Sequence, residues 1–312
     1  MSKPTIELLI CTYNNAALLD RALECLSRQT APPERWSVLV IDNNCTDETA
    51  SVVERHRSEG RIPGLRRTVE TQQGLTAARL CGVRSTESVW MAFIDDDCFL
   101  DEHWVESALA FASEHPGCGA FGGRNVLHWE APPTEFLAKY GAVFAQQEHG
   151  PEAIRFDLQV PYRPALAGAG LVMRREALER SGWLEHQQIG EREGGSLASG
   201  GDQEIVIRIA KAGYELWYTP DCVLRHFIPQ RRTSEAYMAS LYYGIGAMML
   251  PLDRLIGDPR WRWAYLLRLS KGLAKVAILR FVMKRLPEYQ LSKSYLKGLW
   301  DAKDRPPLGL RV

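Results

Sequence analysis

Three consecutive carboxylates, Asp95, Asp96 and Asp97, are the residues of this chain best suited to carry chemistry. They directly follow an apolar run, Val89–Ile94, whose β-branched and aromatic residues are typical of a strand buried on both faces of a sheet. Like charges in a row repel one another unless a cation lies among them. Carboxylates suit Mg²⁺ or Mn²⁺, which also take oxygens from a substrate phosphate. The triplet therefore indicates a metal–diphosphate site, with an acidic first turn of the next helix as the alternative.

Two earlier apolar segments also end in polar residues. Ile6–Ile10 leads into Thr12, Tyr13 and Asn14, and Ser37–Ile41 leads into Asp42. Helical spacing predicts helices at 16–28, 48–58 and 74–85, so strands and helices alternate as in an α/β protein with a parallel sheet. Because the carboxyl ends of parallel strands meet at one edge of the sheet, the three polar clusters indicate one shared polar ligand.

Two common nucleotide-binding motifs are absent from the sequence. No Gly-x-Gly-x-x-Gly follows the first strand, and no Gly-x-x-x-x-Gly-Lys-Ser/Thr occurs in the chain. A nucleoside diphosphate would therefore have to be held by a metal and by basic side chains.

The second half of the chain contains two further candidate sites. Gly168-Ala169-Gly170 lets a ligand or another backbone come close, or forms a tight turn. Asp202 precedes a helical pattern, where it could serve as an N-cap or present a general base.

The segment after this helix predicts a pair of short strands, Tyr214–Val223, that turn at Pro220-Asp221. His226 follows, either as a core histidine or as a ligand. Arg231-Arg232 could clamp phosphate oxygens or be solvated.

The charge of the 312-residue chain is unevenly distributed although the net charge is zero. Residues 254–312 hold 14 Lys and Arg against 4 Asp and Glu, so the tail is basic and the body acidic. Arg260–Arg285 predicts one long helix whose apolar side faces away from Arg268, Lys271 and Lys275. The apolar side comprises Tyr265, Leu266, Leu269, Leu273, Val276 and Met283. Such a helix could lie on a membrane surface, pack against the body or bind a second subunit in an oligomer.

The cysteines and the first residues of the chain indicate the cellular compartment of the protein. The seven cysteines are scattered without a Cys-x-x-Cys pair, which disfavours a zinc or redox site and favours a reducing cytosol. A strand begins almost at once, leaving no room for a signal peptide, and the longest uncharged stretch, Ala236–Leu252, is too short to span a bilayer. We expect a cytoplasmic protein that binds no nucleic acid. Any contact with a membrane would be peripheral and at its inner face.

Six motifs, in this order along the chain, resemble those of the family 2 glycosyltransferases of the GT-A fold. They are Ile10-Cys11-Thr12-Tyr13-Asn14-Asn15, Ile41-Asp42-Asn43-Asn44-Cys45-Thr46-Asp47, Gly74-Leu75-Thr76-Ala77-Ala78-Arg79, Phe93-Ile94-Asp95-Asp96-Asp97, Gly168-Ala169-Gly170 and Gly201-Asp202-Gln203-Glu204. The resemblance implies a catalytic domain at 1–230, with a nucleotide-binding half (1–116) and an acceptor-binding half (117–230). A helical, basic extension would occupy 231–312. The implied architecture is a mostly parallel central sheet flanked by helices.

The resemblance also implies a role for each candidate residue. Asp202 would be the catalytic base, Asp97 and His226 would hold Mn²⁺ or Mg²⁺, and an acceptor would lie against Gly168, Ala169 and Gly170. The nucleotide sugar would contact Thr12, Tyr13, Asn14, Asp42, Arg79, Asp95 and Asp96. The donor would be a UDP-, dTDP- or GDP-linked sugar, and the acceptor a glycan, a lipid-linked molecule or a small molecule.

One departure from the family pattern leaves alternatives open. Relatives commonly carry an acidic residue where this chain has Gly201. A non-catalytic, nucleotide-binding member of a polysaccharide-assembly complex is one alternative to an inverting transferase. A nucleotidyltransferase is the other, although its usual glycine-rich, basic loop near the N-terminus is missing here.

Overall fold

A single mixed sheet forms the centre of the computed structural model, which describes residues 4–160, 162, 166–189 and 200–304. The nine strands of this sheet are β1 (Ile6–Thr12), β2 (Trp36–Asp42), β3 (Arg66–Val69), β4 (Trp90–Asp95), β5 (Cys98–Leu100), β6 (Cys118–Trp129), β7 (Ile154–Phe156), β8 (Leu171–Arg174) and β9 (Glu215–Ile228). The α-helices of the described ranges are α1 (Ala16–Leu26), α2 (Thr49–Glu59), α3 (Leu75–Arg84), α4 (Trp104–Glu114), α5 (Glu135–Ala138), α6 (Arg175–Arg180), α7 (Gly201–Lys211), α8 (Glu235–Ile256), α9 (Trp261–Ala277) and α10 (Leu286–Asp301).

The strand order is β3-β2-β1-β4-β8-β6-β9-β5, with β7 paired to β9. The first four strands are mutually parallel, and antiparallel pairing begins where β8 meets β4. The predicted α/β class, with a central sheet between helices, is confirmed. Parallel register places Thr12 opposite Asp42 and Cys11 opposite Asp95, so the polar ends of β1, β2 and β4 lie at one edge of the sheet.

Burial on both faces explains the continuous apolar runs of the central strands. Along β1, Leu8 and Ile10 belong to one hydrophobic cluster, whereas Leu9 belongs to the cluster on the other face. All seven residues of β2 are buried. Helices cover both faces of such a sheet, so alternate side chains enter different cores.

The segment expected to form a strand pair around Pro220-Asp221 forms the single strand β9, so that prediction was wrong. The pairing of β9 with β6 jumps from Tyr218 to Val223 while β6 advances only from Gly122 to Arg124. The intervening residues bulge out of the ladder. Proline has no N–H to donate, and a bulge lets the strand continue past it.

The long helix expected over Arg260–Arg285 is shorter than predicted. It ends as α9 at Ala277 and continues as a π-helical turn, Ile278–Val282. Arg268, expected on a basic face, instead pairs with the buried Asp253 of α8, with its Nε 3.1 Å from Asp253 Oδ2. Residues 305–312 of the expected extension lie outside the described residues. No helix in the described part of the chain is long and apolar enough to cross a bilayer.

Candidate active site

The three carboxylates of the triplet take different environments at the end of β4. Asp96 turns back to β1, where it accepts hydrogen bonds from Thr12 Oγ1 and Asn15 Nδ2, each at 2.7 Å. Burial, and then the charge of Asp97, raise the pKa of Asp96 to about 7. Asp96 therefore ties the end of β1 to the end of β4. Asp95 is the last residue of β4 and is half-buried.

Asp97 lies buried between two basic side chains. Its Oδ1 is 3.3 Å from His226 Nε2, and its Oδ2 is 2.8 Å from Arg232 Nη1. The backbone fixes this arrangement, because β5 pairs antiparallel with β9 and the carbonyl of Asp97 accepts a hydrogen bond from the N–H of Phe227 at 2.8 Å. The contact with Arg232 was not predicted from the sequence, which indicated for that residue either a phosphate clamp or a solvated side chain.

His226 is oriented so that one ring nitrogen faces Asp97. Its Nδ1 lies 2.8 Å from the carbonyl oxygen of Phe144, which assigns the Nδ1 proton to that bond. Burial lowers the pKa of His226, but the charge and hydrogen bond of Asp97 outweigh burial and raise it above its ordinary value. A histidine held by a backbone carbonyl in this way is preorganised to offer Nε2 to a metal.

Ligand atoms of Asp97, Cys98 and His226 lie within 4.8 Å of one another. A carboxylate oxygen and an imidazole nitrogen are suitable donors for Mn²⁺. The soft sulfur of Cys98 is a poorer partner for such an ion, and burial raises the pKa of this thiol well above its ordinary value. The donor set therefore fits a hard divalent cation held by the aspartate and the histidine. The sequence analysis did not single out Cys98, whose register opposite His226 depends on the β5–β9 pairing.

The loops after β1 and β2 are locked together beside the triplet. Asn14 Oδ1 accepts a hydrogen bond from Thr46 N at 2.7 Å, and Asp42 Oδ1 accepts one from Cys45 N at 2.8 Å. The other oxygen of Asp42 pairs with Arg67. Tyr13 is 53% exposed, so its ring is free to stack on a flat ligand. The expected nucleotide-binding residues of these two strands thus surround one open edge.

Asn43 has a role that the sequence analysis missed. Its Nδ2 donates to the carbonyls of Glu70 and Gln72 at 3.0 and 2.7 Å, and its Oδ1 accepts from Gly74 N at 2.8 Å. This buried side chain fixes the entry to α3, the helix that carries Arg79. Its position within a polar cluster was the only signal in the sequence.

Gly168 lies between Arg79 and Asp202. A Cβ at position 168 would stand 2.9 Å from Asp202 Oδ2 and 3.2 Å from Arg79 Nη2. The Arg79 guanidinium is buried, with its carbon 4.7 Å from the centroid of the Phe93 ring. Residues from two distant parts of the chain therefore meet at this glycine.

Phe93 links this group to the carboxylate triplet. The Arg79 guanidinium lies over the Phe93 ring, and the backbone carbonyl of Phe93 accepts a hydrogen bond from Gly170 N at 2.9 Å. Asp95 follows Phe93 by two residues on β4. Ala169 is buried, and its carbonyl accepts from Asn125 Nδ2 at 3.0 Å. The Gly168–Gly170 turn is thus held on β4, with its first residue against Asp202.

We expect replacement of Gly168 with alanine to lower the activity of this site strongly while leaving the fold intact. The added methyl would push Asp202 Oδ2 or Arg79 Nη2 aside, and displacement of a reacting group by about 1 Å can cost about 10²-fold in rate. The measurement is the turnover rate beside the melting temperature. Gly117→Ala is the control, because Gly117 is exposed, has no positive φ, and a Cβ there would meet only the side chain of Glu215. Equal rates for both variants would show that space at position 168 is unimportant.

Asp202 is not used as a helix cap. The N-cap of α7 is Gly200, whose φ of 114° suits glycine, and Asp202 is the second residue of the helix. Its Oδ1 accepts from Gln203 N at 2.9 Å, and the half-buried carboxylate otherwise faces Gly168. The structural alternative weighed for this residue is therefore not observed.

Glu204, the neighbouring carboxylate, is fully occupied. It is buried and accepts from Gln188 N, Ile189 N and Arg208 Nε at distances between 2.7 and 3.0 Å. Such saturation leaves Glu204 no capacity to take a proton from a substrate. Asp202 is the better candidate base.

A chain of hydrogen bonds connects Asp202 to the C-terminal helices. Gln203 Nε2 lies 3.2 Å from Asp202 Oδ2, and Gln203 Oε1 accepts from Tyr162 OH at 2.8 Å. Tyr162 in turn donates its N–H to Asp253 Oδ1 at 2.6 Å, and its carbonyl accepts from Arg268 at 2.7 Å. Helices α8 and α9 therefore brace the segment beside the candidate base.

Comparison with known proteins decides the family. The model of the family described as "Glycosyl transferase family 2" matches residues 7–182, more than half of the chain. The chain belongs to glycosyl transferase family 2. Its membership makes it a glycosyltransferase and disfavours the nucleotidyltransferase alternative.

Named relatives of this family 2 member are themselves transferases. It is 30% identical over 305 residues to a validoxylamine A glucosyltransferase of Streptomyces hygroscopicus subsp. limoneus, covering 89% of this chain and 63% of that protein. It is 26% identical over 254 residues to the glycosyltransferase AglE of Haloferax volcanii, covering 81% of this chain and 76% of AglE.

Solved structures confirm the GT-A fold of this family 2 member. The mannosyltransferase PcManGT from Pyrobaculum calidifontis, in complex with GDP-Man and Mn²⁺, matches with a TM-score of 0.62 at 18% identity. That match covers 97% of this chain and 88% of PcManGT. S. aureus TarS 1–349 in complex with UDP-GlcNAc matches with a TM-score of 0.55 at 15% identity, covering 96% and 91% of the two chains.

Proposed function

We propose that this protein transfers a sugar from a nucleoside diphosphate to an acceptor hydroxyl, with inversion at the anomeric carbon and with the help of a divalent cation. One observation carries the proposal. The half-buried carboxylate of Asp202 lies beside Gly168 and Arg79 at the start of α7, whereas Asp97 and His226 pair with each other on other elements, at the β5–β9 pairing. Inversion needs a base and a leaving-group site on separate elements, because the nucleophile enters opposite the departing group.

Asp97 and His226 would hold the cation, either Mn²⁺ or Mg²⁺. When bound, such a cation supplies positive charge that stabilises the diphosphate as it leaves. Arg232 is the nearest additional cation, with its Nη1 already 2.8 Å from Asp97 Oδ2. It is placed to hold a diphosphate oxygen as well as Asp97, since guanidinium groups bind phosphate well.

The chain's own residues account for the remaining steps. Asp202 accepts the proton of the acceptor hydroxyl while the hydroxyl oxygen attacks the anomeric carbon. The bond from that carbon to the diphosphate oxygen breaks at the same time, and its electron pair leaves with the diphosphate. A positioned general base of this kind typically contributes about 10²–10⁴-fold. Gln203 holds Asp202 from one side, and the missing side chain at Gly168 leaves room on the other.

The donor and acceptor are assigned by region. We propose that residues 1–116 bind a UDP-, dTDP- or GDP-linked sugar through Thr12, Tyr13, Asn14, Asp42, Arg79, Asp95 and Asp96. Residues 117–230 would present the Gly168–Gly170 turn to the acceptor, a glycan, a lipid-linked molecule or a small molecule of glycoconjugate synthesis, and residues 231–312 would form the extension. GDP-Man and UDP-GlcNAc, the ligands named for PcManGT and TarS, fall within the proposed donor class.

We also propose a cytoplasmic location. All seven cysteines lie in the described part of the chain, where none forms a disulfide, and three of them are buried. Free thiols persist in reducing compartments, which supports this assignment.

A thermal-shift panel tests the proposed function. Each of UDP, GDP, dTDP, CDP and ADP is added with and without Mn²⁺. A ligand that binds only the folded state stabilises it by RT ln(1 + [L]/Kd), which is about 2.7 kcal/mol at a hundredfold excess over Kd. We expect one nucleotide to raise the melting temperature only when the metal is present. No response to any nucleotide would contradict the proposal.

A further inference from the structure

The C-terminal region holds most of the exposed large apolar side chains. Twelve such residues are found in the described part of the chain, and nine of them lie between Trp263 and Trp300. Phe281 and Val282 are the most exposed, at 77% and 74%. A soluble protein rarely leaves contiguous apolar surface of this kind uncovered unless that surface binds something.

The exposed residues of α9 form a stripe on one side of the helix. Trp263, Leu266 and Leu273 are separated by three and seven residues, so they share a face. Tyr265 and Leu269 lie on the adjoining arc of the helix and pack against the cluster that contains α8. The sequence predicts one apolar side that includes all four of these residues. In the structure Tyr265 and Leu269 are packed, whereas Leu266 and Leu273 are exposed.

Exposed apolar side chains follow along the chain after α9. Phe281 and Val282 lie in or at the end of the π-helical turn, and Leu286 begins α10 with 53% of its surface exposed. From Trp263 to Phe281 a helix would extend about 27 Å. We call the surface of Trp263, Leu266, Leu273, Phe281, Val282 and Leu286 the α9 surface.

The segment that carries the α9 surface is positively charged. Residues 261–287 contain seven Lys and Arg and no Asp or Glu. Only Arg268 of these is withdrawn into the buried pair with Asp253. The other six are exposed: Arg262, Lys271, Lys275, Arg280, Lys284 and Arg285.

We propose that the α9 surface binds a lipid bilayer that contains anionic lipids. Exposed aromatic and aliphatic side chains in the same segment as exposed Lys and Arg are the composition that lies in the interface of such membranes. A second copy of this chain would bring an equally basic surface against the first, and the like charges would oppose that contact. The inference does not depend on the proposed chemistry, because lipid binding is measured without donor or acceptor.

Vesicle sedimentation with the full chain tests the proposal. The vesicles are phosphatidylcholine alone or phosphatidylcholine mixed with phosphatidylglycerol, at low and at high salt. We expect at least about tenfold tighter binding to the anionic vesicles at low salt, because both the apolar and the basic residues then contribute. Salt should weaken this preference, since exposed charges are screened.

Two sets of variants separate the apolar from the ionic contribution. Phe281→Glu with Val282→Glu should lower binding to anionic vesicles by about tenfold or more. Lys284→Gln with Arg285→Gln should weaken the preference for phosphatidylglycerol. Val89→Glu, at a residue 56% exposed on another part of the protein, is the matched control and should bind like the unchanged chain. The far-ultraviolet circular dichroism and melting temperature of each variant show that it is folded.

Two results would overturn the proposal. Binding to anionic vesicles that the glutamate variant leaves unchanged would remove the α9 surface from the contact. A dimer seen by analytical ultracentrifugation and dissociated by the same variant, without vesicle binding, would assign the surface to a second copy of this chain.

Discussion

Replacing Asp202 with Asn lowers the rate of sugar transfer by about 10³-fold and leaves donor binding nearly unchanged. An amide accepts no proton, so the acceptor hydroxyl has to attack without its general base, whose contribution is typically about 10²–10⁴-fold. The amide has the shape of the carboxylate and keeps the place beside Gly168 and Gln203. Turnover and nucleotide affinity, measured on the same preparation, check this result.

The control for this prediction is Asp221→Asn, which removes an exposed carboxylate from the bulge of β9. It should retain full activity. If Asp202→Asn loses donor binding to the same extent as turnover, Asp202 is a donor ligand and not the base.

Replacing Asp97 with Asn weakens binding of Mn²⁺ by at least about 100-fold and removes the metal-dependent part of nucleotide binding. Loss of residues that only support a ligand already costs about 10–100-fold, so loss of a charged ligand should cost at least as much. The amide keeps the volume of the side chain between His226 and Arg232. Isothermal titration with Mn²⁺, followed by nucleotide in the presence of Mn²⁺, checks both effects.

His226→Gln tests the second proposed ligand in the same titration. Arg225→Gln is its control, because Arg225 precedes His226 on β9 and is exposed. An Mn²⁺ titration that Asp97→Asn leaves unchanged would place the metal elsewhere. Weakened Mn²⁺ binding by Arg225→Gln would mean that a disturbance of β9, and not the loss of a ligand, explains the effect of His226→Gln.

The edge that carries Asp95, Asp96 and Asp97 was predictable because it depends on local patterns. Apolar runs that end in polar residues identify β1, β2 and β4, and alternation of strands with helices implies that they are parallel neighbours. These two facts place Thr12, Asp42 and Asp95 at one edge without any knowledge of tertiary contacts.

Contacts between distant segments could not be predicted in the same way. Arg232 lies against Asp97 only because β9 returns antiparallel to β5 and the chain then turns into a short helix. Gly168 meets Arg79 and Asp202 only through the packing of three elements. Composition and residue spacing do not predict such contacts between residues that are distant in the sequence.

The error at α9 has a physical cause as well. Helical periodicity reports which residues share a face, but it does not say which of two apolar arcs is packed. Tyr265 and Leu269 pack against the hydrophobic cluster that contains α8, whereas Leu266 and Leu273 are exposed. Burial of Arg268 against Asp253 fixed the rotation of the helix, and this pair joins residues on two different helices.

The configuration of the sugar that is first released tests the central claim most directly. The thermal-shift panel identifies the nucleotide, and sugars linked to that nucleotide are then tested as donors. Water replaces the unknown acceptor, and proton NMR records the anomer that forms before mutarotation. We predict that an α-linked donor yields the β anomer first, and that Asp202→Asn suppresses this release. First release of the α anomer would contradict a single displacement assisted by Asp202.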